Sequence, residues 1–152
     1  MGDIATHDLP VWRSRANFLI MADLTPHGMS GKLEQLWARR IGDRAFEICC
    51  IPFFTYGIAL GDSVETNGDY RVLGIVNKGG HRNLRVAIVK GAQTEQLHEA
   101  IHGWLDSAGF LYEWRGGGYA AVDLSFAHQE DALIDFIRAW AESGQLQYEL
   151  NG

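Results

Sequence analysis

Apolar positions in the first half of the chain come in short bursts separated by glycine, proline and aspartate. In the second half two of the bursts lengthen to helical spacing. Arg15 to Ala22, RANFLIMA, predicts a strand closed by a loop that carries Pro26, Gly28 and Gly31. Leu33 to Arg40, LEQLWARR, fits a helical turn or a strand, and its short length with Trp37 between polar neighbours favours the strand. Gly42-Asp43 turns it into Arg44 to Ile51 as a hairpin. Pro52 lacks a backbone donor and ends the pairing. The stretch after it, FFTYGIALGD, wraps aromatics around a corner. Asp62 to Thr66 and Tyr70 to Asn77 predict another hairpin across Asn67-Gly68, with positive φ at both turn positions.

From Leu84 the pattern changes. Leu84 to Lys90 is apolar on both faces, with Val86 and Ile88 on one and Ala87 and Val89 on the other, which predicts a central strand. Thr94 is placed as an N-cap for a helix whose Leu97, Ile101, Leu105 and Ala108 recur at helical spacing, and Gly109 closes it. Phe110 to Trp114 and Tyr119 to Phe126 form a hairpin about Gly116-Gly117-Gly118. Leu133, Phe136, Ile137 and Trp140 mark a second helix, Gly144 ends it, and Leu146 to Leu150 is a last strand. The expected fold is α+β in one unit. A flexible leader over 1–14 precedes an antiparallel β portion, a small sheet or partial barrel, over 15–83. A ferredoxin-like β-α-β-β-α-β portion follows over 84–150 and shares one core with it.

Composition adds limits. The chain has 152 residues, enough to bury a core without covalent staples. No apolar run reaches membrane-spanning length, and the start has no secretory pattern, so neither a membrane nor a secretory route is expected. Cys49 and Cys50 are adjacent and read as two reduced thiols of a cytoplasmic protein, since a disulfide between neighbours is strained. The net charge of −6 argues against nucleic acid as a partner. One stretch opposes that charge: residues 71–90 carry Arg71, Lys78, Arg82, Arg85 and Lys90 with no acid.

That stretch holds the main candidate site. Gly79 and Gly80 can let backbone amides converge on an anion. Arg82 and Arg85 can grip a carboxylate or phosphate, and His81 can exchange a proton near neutral pH. Phe53, Phe54 and Tyr56 are candidate pocket walls. Asp62 beside His81 would make an acid/base pair if the corner and the turn meet. His98 and His102 share a helix face at a metal-ligand spacing, but no third ligand is fixed, and two solvated imidazoles are the plainer reading. No cofactor or metal motif is present. Core packing is the plainer reading of the aromatic corner, and a solvated turn the plainer one of the glycines.

The segment LWARRIGDRAFEICCIPFFTYGIALGD, followed by a strand and GGHRNLRV, resembles a bacterial family known only as a domain of unknown function. The resemblance rests on Trp37, Pro52, Phe53, Gly61, Asp62, Gly80, His81, Arg85 and Val86. It covers roughly positions 34–90 well and the tail loosely. It implies no activity, and Arg82-Asn83 stand where the family often has small hydroxyl residues. The expected function is a non-catalytic binding or regulatory protein, monomer or homodimer, that recognises a small anion or an anionic group on a protein partner. The alternative is a small cofactor-independent enzyme with His81, assisted by Asp62, as general acid/base. A carboxylate such as Asp62 set against His81 within a concave pocket favours the second, and a flat, open basic turn the first.

Overall fold

The computed structural model describes residues 3–91 and 93–151. Among the described residues ten strands form two sheets, nearly all antiparallel, and two α-helices accompany them, so the fold is α+β. The first sheet contains β1 (Ile4–Ala5), β2 (Phe18–Asp23), β3 (Leu33–Arg40), β4 (Ala45–Ile48), β5 (Ser63–Thr66) and β6 (Val72–Asn77). β3 pairs with β2 along one edge and with β1 and β4 along the other, and β1 is its one parallel neighbour. The sheet then curls through β5 and β6. Tyr70 O accepts from Met21 N at 3.0 Å and a bridge joins Met21 to Arg71, so the start of β6 meets β2 again. Alternation explains the curl's interior: Ile20, Ala22, Leu36, Ala38, Phe46, Ile48 and Val64 are buried within it.

The second sheet is built from β7 (Arg82–Ile88), β8 (Tyr112–Arg115), β9 (Tyr119–Leu124) and β10 (Leu146–Asn151), in the order β10-β7-β9-β8 with every pair antiparallel. Helices α1 (Thr94–Ser107) and α2 (Ala127–Glu142) cover one face. Leu84, Val86, Val122 and Leu146 pack there against Leu97, Ile101, Leu105, Leu133 and Ile137. Neither helix is long and apolar enough to cross a membrane.

Three local expectations are corrected. Residues 3–14 are packed, not a loose leader: β1 pairs with β3, and His7 is buried. Thr94 does not cap α1 from outside. The helix begins at Thr94, and its hydroxyl donates to Gly91 O at 3.0 Å. In the β5–β6 turn the positive φ falls on Tyr70 (59°), because Asn67 Oδ1 accepts from both Asp69 N (2.9 Å) and Arg71 N (3.0 Å) and winds the turn one residue further.

The two sheets meet through the corner that follows β4. An irregular segment carries backbone amides and carbonyls that must still be paired when buried. The second sheet supplies the partners from its uncovered face. Arg85 Nη2 donates to Thr55 O at 2.6 Å, Tyr119 Oη to Phe53 O at 2.6 Å, and Asn151 Nδ2 to Thr55 O at 3.3 Å. Gly57 N donates to Asn151 Oδ1 at 3.0 Å. Ile51, Phe53, Leu60 and Ala121 close the seam as a small apolar core.

Candidate functional site

Three polar constellations surround this seam. The most enclosed centres on His7. Its Nε2 lies 2.7 Å from Glu34 Oε2 and its Nδ1 lies 2.6 Å from Glu113 Oε1, while the ring stacks on Phe53 at 4.3 Å. Glu34 stands on the inward face of β3 in line with Leu36 and Ala38, and Glu113 on β8. Glu34 also accepts from the backbone amides of Phe53 (2.6 Å), Phe54 (3.0 Å) and Thr55 (3.0 Å), and Glu113 from Ile51 N at 2.7 Å. Ionised carboxylates only accept, so both ring nitrogens donate and the ring is an imidazolium. Burial opposes that charge, but the Cys50 sulfur and the Glu113 and Glu34 carboxylates outweigh it and hold the His7 pKa well above the ordinary value. Burial likewise tends to raise the Glu34 carboxyl. His7 and the amides around it prevail and lower it. This group joins the N-terminal segment, the first sheet and β8.

The second constellation is the glycine turn, where the expected anion site divides. Asp62 is fully buried and fills the turn itself: Oδ1 accepts from Gly79 N at 2.8 Å, and Oδ2 from Lys78 Nζ at 3.1 Å and Ala59 N at 2.9 Å. Gly79 sits so close to Gly61 that a Cβ there would overlap the Gly61 carbonyl. His81 leans over Gly61 and meets Trp12 edge-on at 5.7 Å, yet its carboxylate partner is Asp123, not Asp62. His81 Nδ1 lies 2.8 Å from Asp123 Oδ1, and Ser125 Oγ donates to Asp123 Oδ2 at 2.5 Å. The His81 side chain is 20% exposed.

Arg82 and Arg85 are three residues apart on β7, so they face opposite sides of the sheet and cannot grip one ligand. Arg82 pairs in solvent with Glu130 at 2.7 Å. Arg85 is buried against the corner and forms the third constellation. Tyr56 stacks over its guanidinium at 4.9 Å, Nη1 lies 3.8 Å from Glu149, and Tyr56 Oη donates to that same carboxylate at 2.7 Å. Arg85 Nε has no hydrogen-bond partner among the described residues. Arg85, Ala87, Tyr119, Gln147, Tyr148 and Glu149 line a cavity of about 270 Å³. Of the expected pocket walls, Tyr56 touches Arg85, Phe54 packs on Tyr119 at 5.4 Å, and Phe53 belongs to the seam beneath His7.

The remaining candidates have structural partners. His98 Nδ1 donates to Gly117 O at 3.0 Å. His102 Nδ1 accepts from Trp114 Nε1 at 3.2 Å. Among the described residues no three His, Cys, Asp or Glu side chains are arranged to hold a metal ion. Burial first, then Glu47, pushes the Cys49 thiol up to about 11, and burial raises Cys50, so neither is a poised nucleophile.

The family model described as a domain of unknown function (DUF4265) matches residues 34–148. The chain belongs to this family. No curated protein matches it. Its fold is similar to that of a solved structure, a novel crystal structure of a hypothetical protein from Neisseria gonorrhoeae. The TM-score is 0.68 at 16% identity, over 86% of this chain and 91% of that one. At that identity the likeness speaks for the fold alone. The family match covers Glu34, Arg85, Glu113 and Asp123 but begins after His7. His7 gives no sequence signal of its own. The visible clue is Glu34, a charge at an inward strand position in line with Leu36 and Ala38.

Proposed function

We propose that the protein is a non-catalytic binding or regulatory protein that takes a small anion, or an anionic group on a partner, at Arg85. The observation that carries this reading is the half-used guanidinium of a buried arginine at a cavity wall. One edge is committed to Thr55 O. Nε is unpaired among the described residues, and Glu149 stands too far off, at 3.8 Å, for a hydrogen bond. A carboxylate or phosphate is the partner whose paired oxygens fit a guanidinium edge. Glu149 is half exposed and acts as a placeholder. When it swings into solvent, Arg85 and the Tyr56 hydroxyl become donors for the incoming group. Gly79, Gly80, His81 and Arg82 then serve the turn and not the ligand.

The sheet order, with both helices on one face, supports a ferredoxin-like reading of residues 82–151. Two buried free thiols support a reducing, cytoplasmic setting. The test is a thermal-shift titration with inorganic phosphate and with citrate on the wild type, Arg85→Lys, Arg82→Ala and Glu149→Gln. At a hundredfold excess over Kd an anion adds about 2.7 kcal/mol. The expected result is a shift in the wild type, a larger one in Glu149→Gln, an unchanged one in Arg82→Ala, and loss in Arg85→Lys. A shift abolished by Arg82→Ala and kept by Arg85→Lys refutes the assignment.

The alternative, a cofactor-independent enzyme, has one specific observation behind it. Asp123 anchors His81 Nδ1 at 2.8 Å, which leaves Nε2 for proton transfer. Ser125 sits on the Asp123 side of the ring, 3.3 Å from Nδ1, so it steadies the pair and is no nucleophile. Turnover of any anionic substrate that disappears in His81→Gln but survives Asp62→Asn favours this reading.

A further inference from the structure

We propose that the open edge of β6 is a docking site for an extended, acidic segment of a partner protein, which adds a strand to the first sheet. β6 ends the path of that sheet. β5 pairs with one of its edges, and beyond the Met21–Arg71 bridge no described strand pairs with the other. An edge of this kind presents unused backbone donors and acceptors, and proteins usually blunt it with charge, proline or a covering element. Here it is apolar and bare: Leu73 is 63% exposed, Val76 56% and Ile75 37%. The edge also borders a groove of about 330 Å³. β2 and β6 diverge there, and the floor includes Ala22, Pro26, Tyr56 and Ile58 beside Val72 and Leu73. A strand laid along β6 would cover these aliphatics with alternate side chains and take up the free backbone groups together, which is strand addition.

Charge selects the occupant. The edge is bracketed by Arg71 at its start and Lys78 just past its end, within a stretch of five bases and no acid. Asp23 lies near Arg71, and Asp62 holds Lys78, whose side chain is still about half exposed. A second copy of this chain is a poor fit. Antiparallel self-pairing about Gly74 and Ile75 sets Arg71 of each copy against Lys78 of the other, and like charges placed directly opposite are destabilising. A segment with alternating Val, Ile or Thr and a Glu or Asp at each end matches both the aliphatic edge and its basic brackets.

The test is selection of a displayed random dodecapeptide library on the wild-type protein. Fluorescence anisotropy of the enriched peptides follows, with wild type and Leu73→Lys/Val76→Lys. These side chains are exposed, so the variant should keep its fold, which circular dichroism checks. The expected peptides alternate aliphatic residues between acidic ends, bind at least tenfold more weakly to the variant, and slow amide exchange at Leu73–Val76. Three results overturn the proposal: no enrichment, binding indifferent to the variant, or a wild-type dimer in light scattering that the variant dissolves. The last would assign the edge to a second copy.

Discussion

Two histidines sit at the seam of this molecule, each beside a carboxylate, and they differ in what is left over. His7 has a carboxylate on each ring nitrogen at 2.6 and 2.7 Å and no exposed side-chain surface. His81 has Asp123 on one nitrogen, and one fifth of its side chain is exposed. A fully satisfied buried ion group has nothing to offer a ligand and stores its free energy in the fold. A partly satisfied histidine at a surface keeps a nitrogen for chemistry. A histidine–carboxylate pair is therefore not a functional signal until the second nitrogen has been accounted for.

Removing each ring should separate the two most widely. His7→Ala strands two buried carboxylates, and we expect a loss of roughly 3–5 kcal/mol in urea unfolding. His81→Ala removes one part-exposed contact and should cost about 1 kcal/mol. Equal costs would break the comparison. The pH dependence of stability should separate them next. The folded pKa of His7 is raised, so its contribution is complete below the unfolded value of about 6.5 and is lost as pH rises through the folded value. Glu34, depressed, contributes above its unfolded value of about 4.3 and loses that as pH falls through its folded one. Stability should thus fall on the alkaline side in wild type and not in His7→Gln; an alkaline fall that persists in His7→Gln must come from another group. The glycine turn beneath His81 offers a further test. Gly79→Ala forces the Gly61 carbonyl to move and should cost roughly 1–3 kcal/mol. NMR should show His81 resonances shifting while those of His7 stay in place.

Much of the scaffold was legible. Leu33–Arg40 is a strand to the residue, Gly109 and Gly144 close the helices with φ of 78° and 79°, and the central position of the strand after the glycine turn follows from its buried Val86 and Ile88. Those features depend on local periodicity and glycine's conformational freedom. The site was legible only in parts. Arg85 and Tyr56 do meet, but Arg82 cannot join them, because positions three apart on a strand face opposite ways. Asp62 does not join His81; it fills the very turn expected to hold an outside anion.

By itself the sequence determined the two helices, most of the strands and the basic stretch over 71–90, since each is a property of neighbours in the chain. Only the tertiary structure decided which carboxylate meets which base. Asp123 reaches His81 across 42 positions and Glu113 reaches His7 across 106. Such pairings are set by how two sheets close on a buried corner whose backbone must find hydrogen-bond partners, and no local pattern encodes that closure.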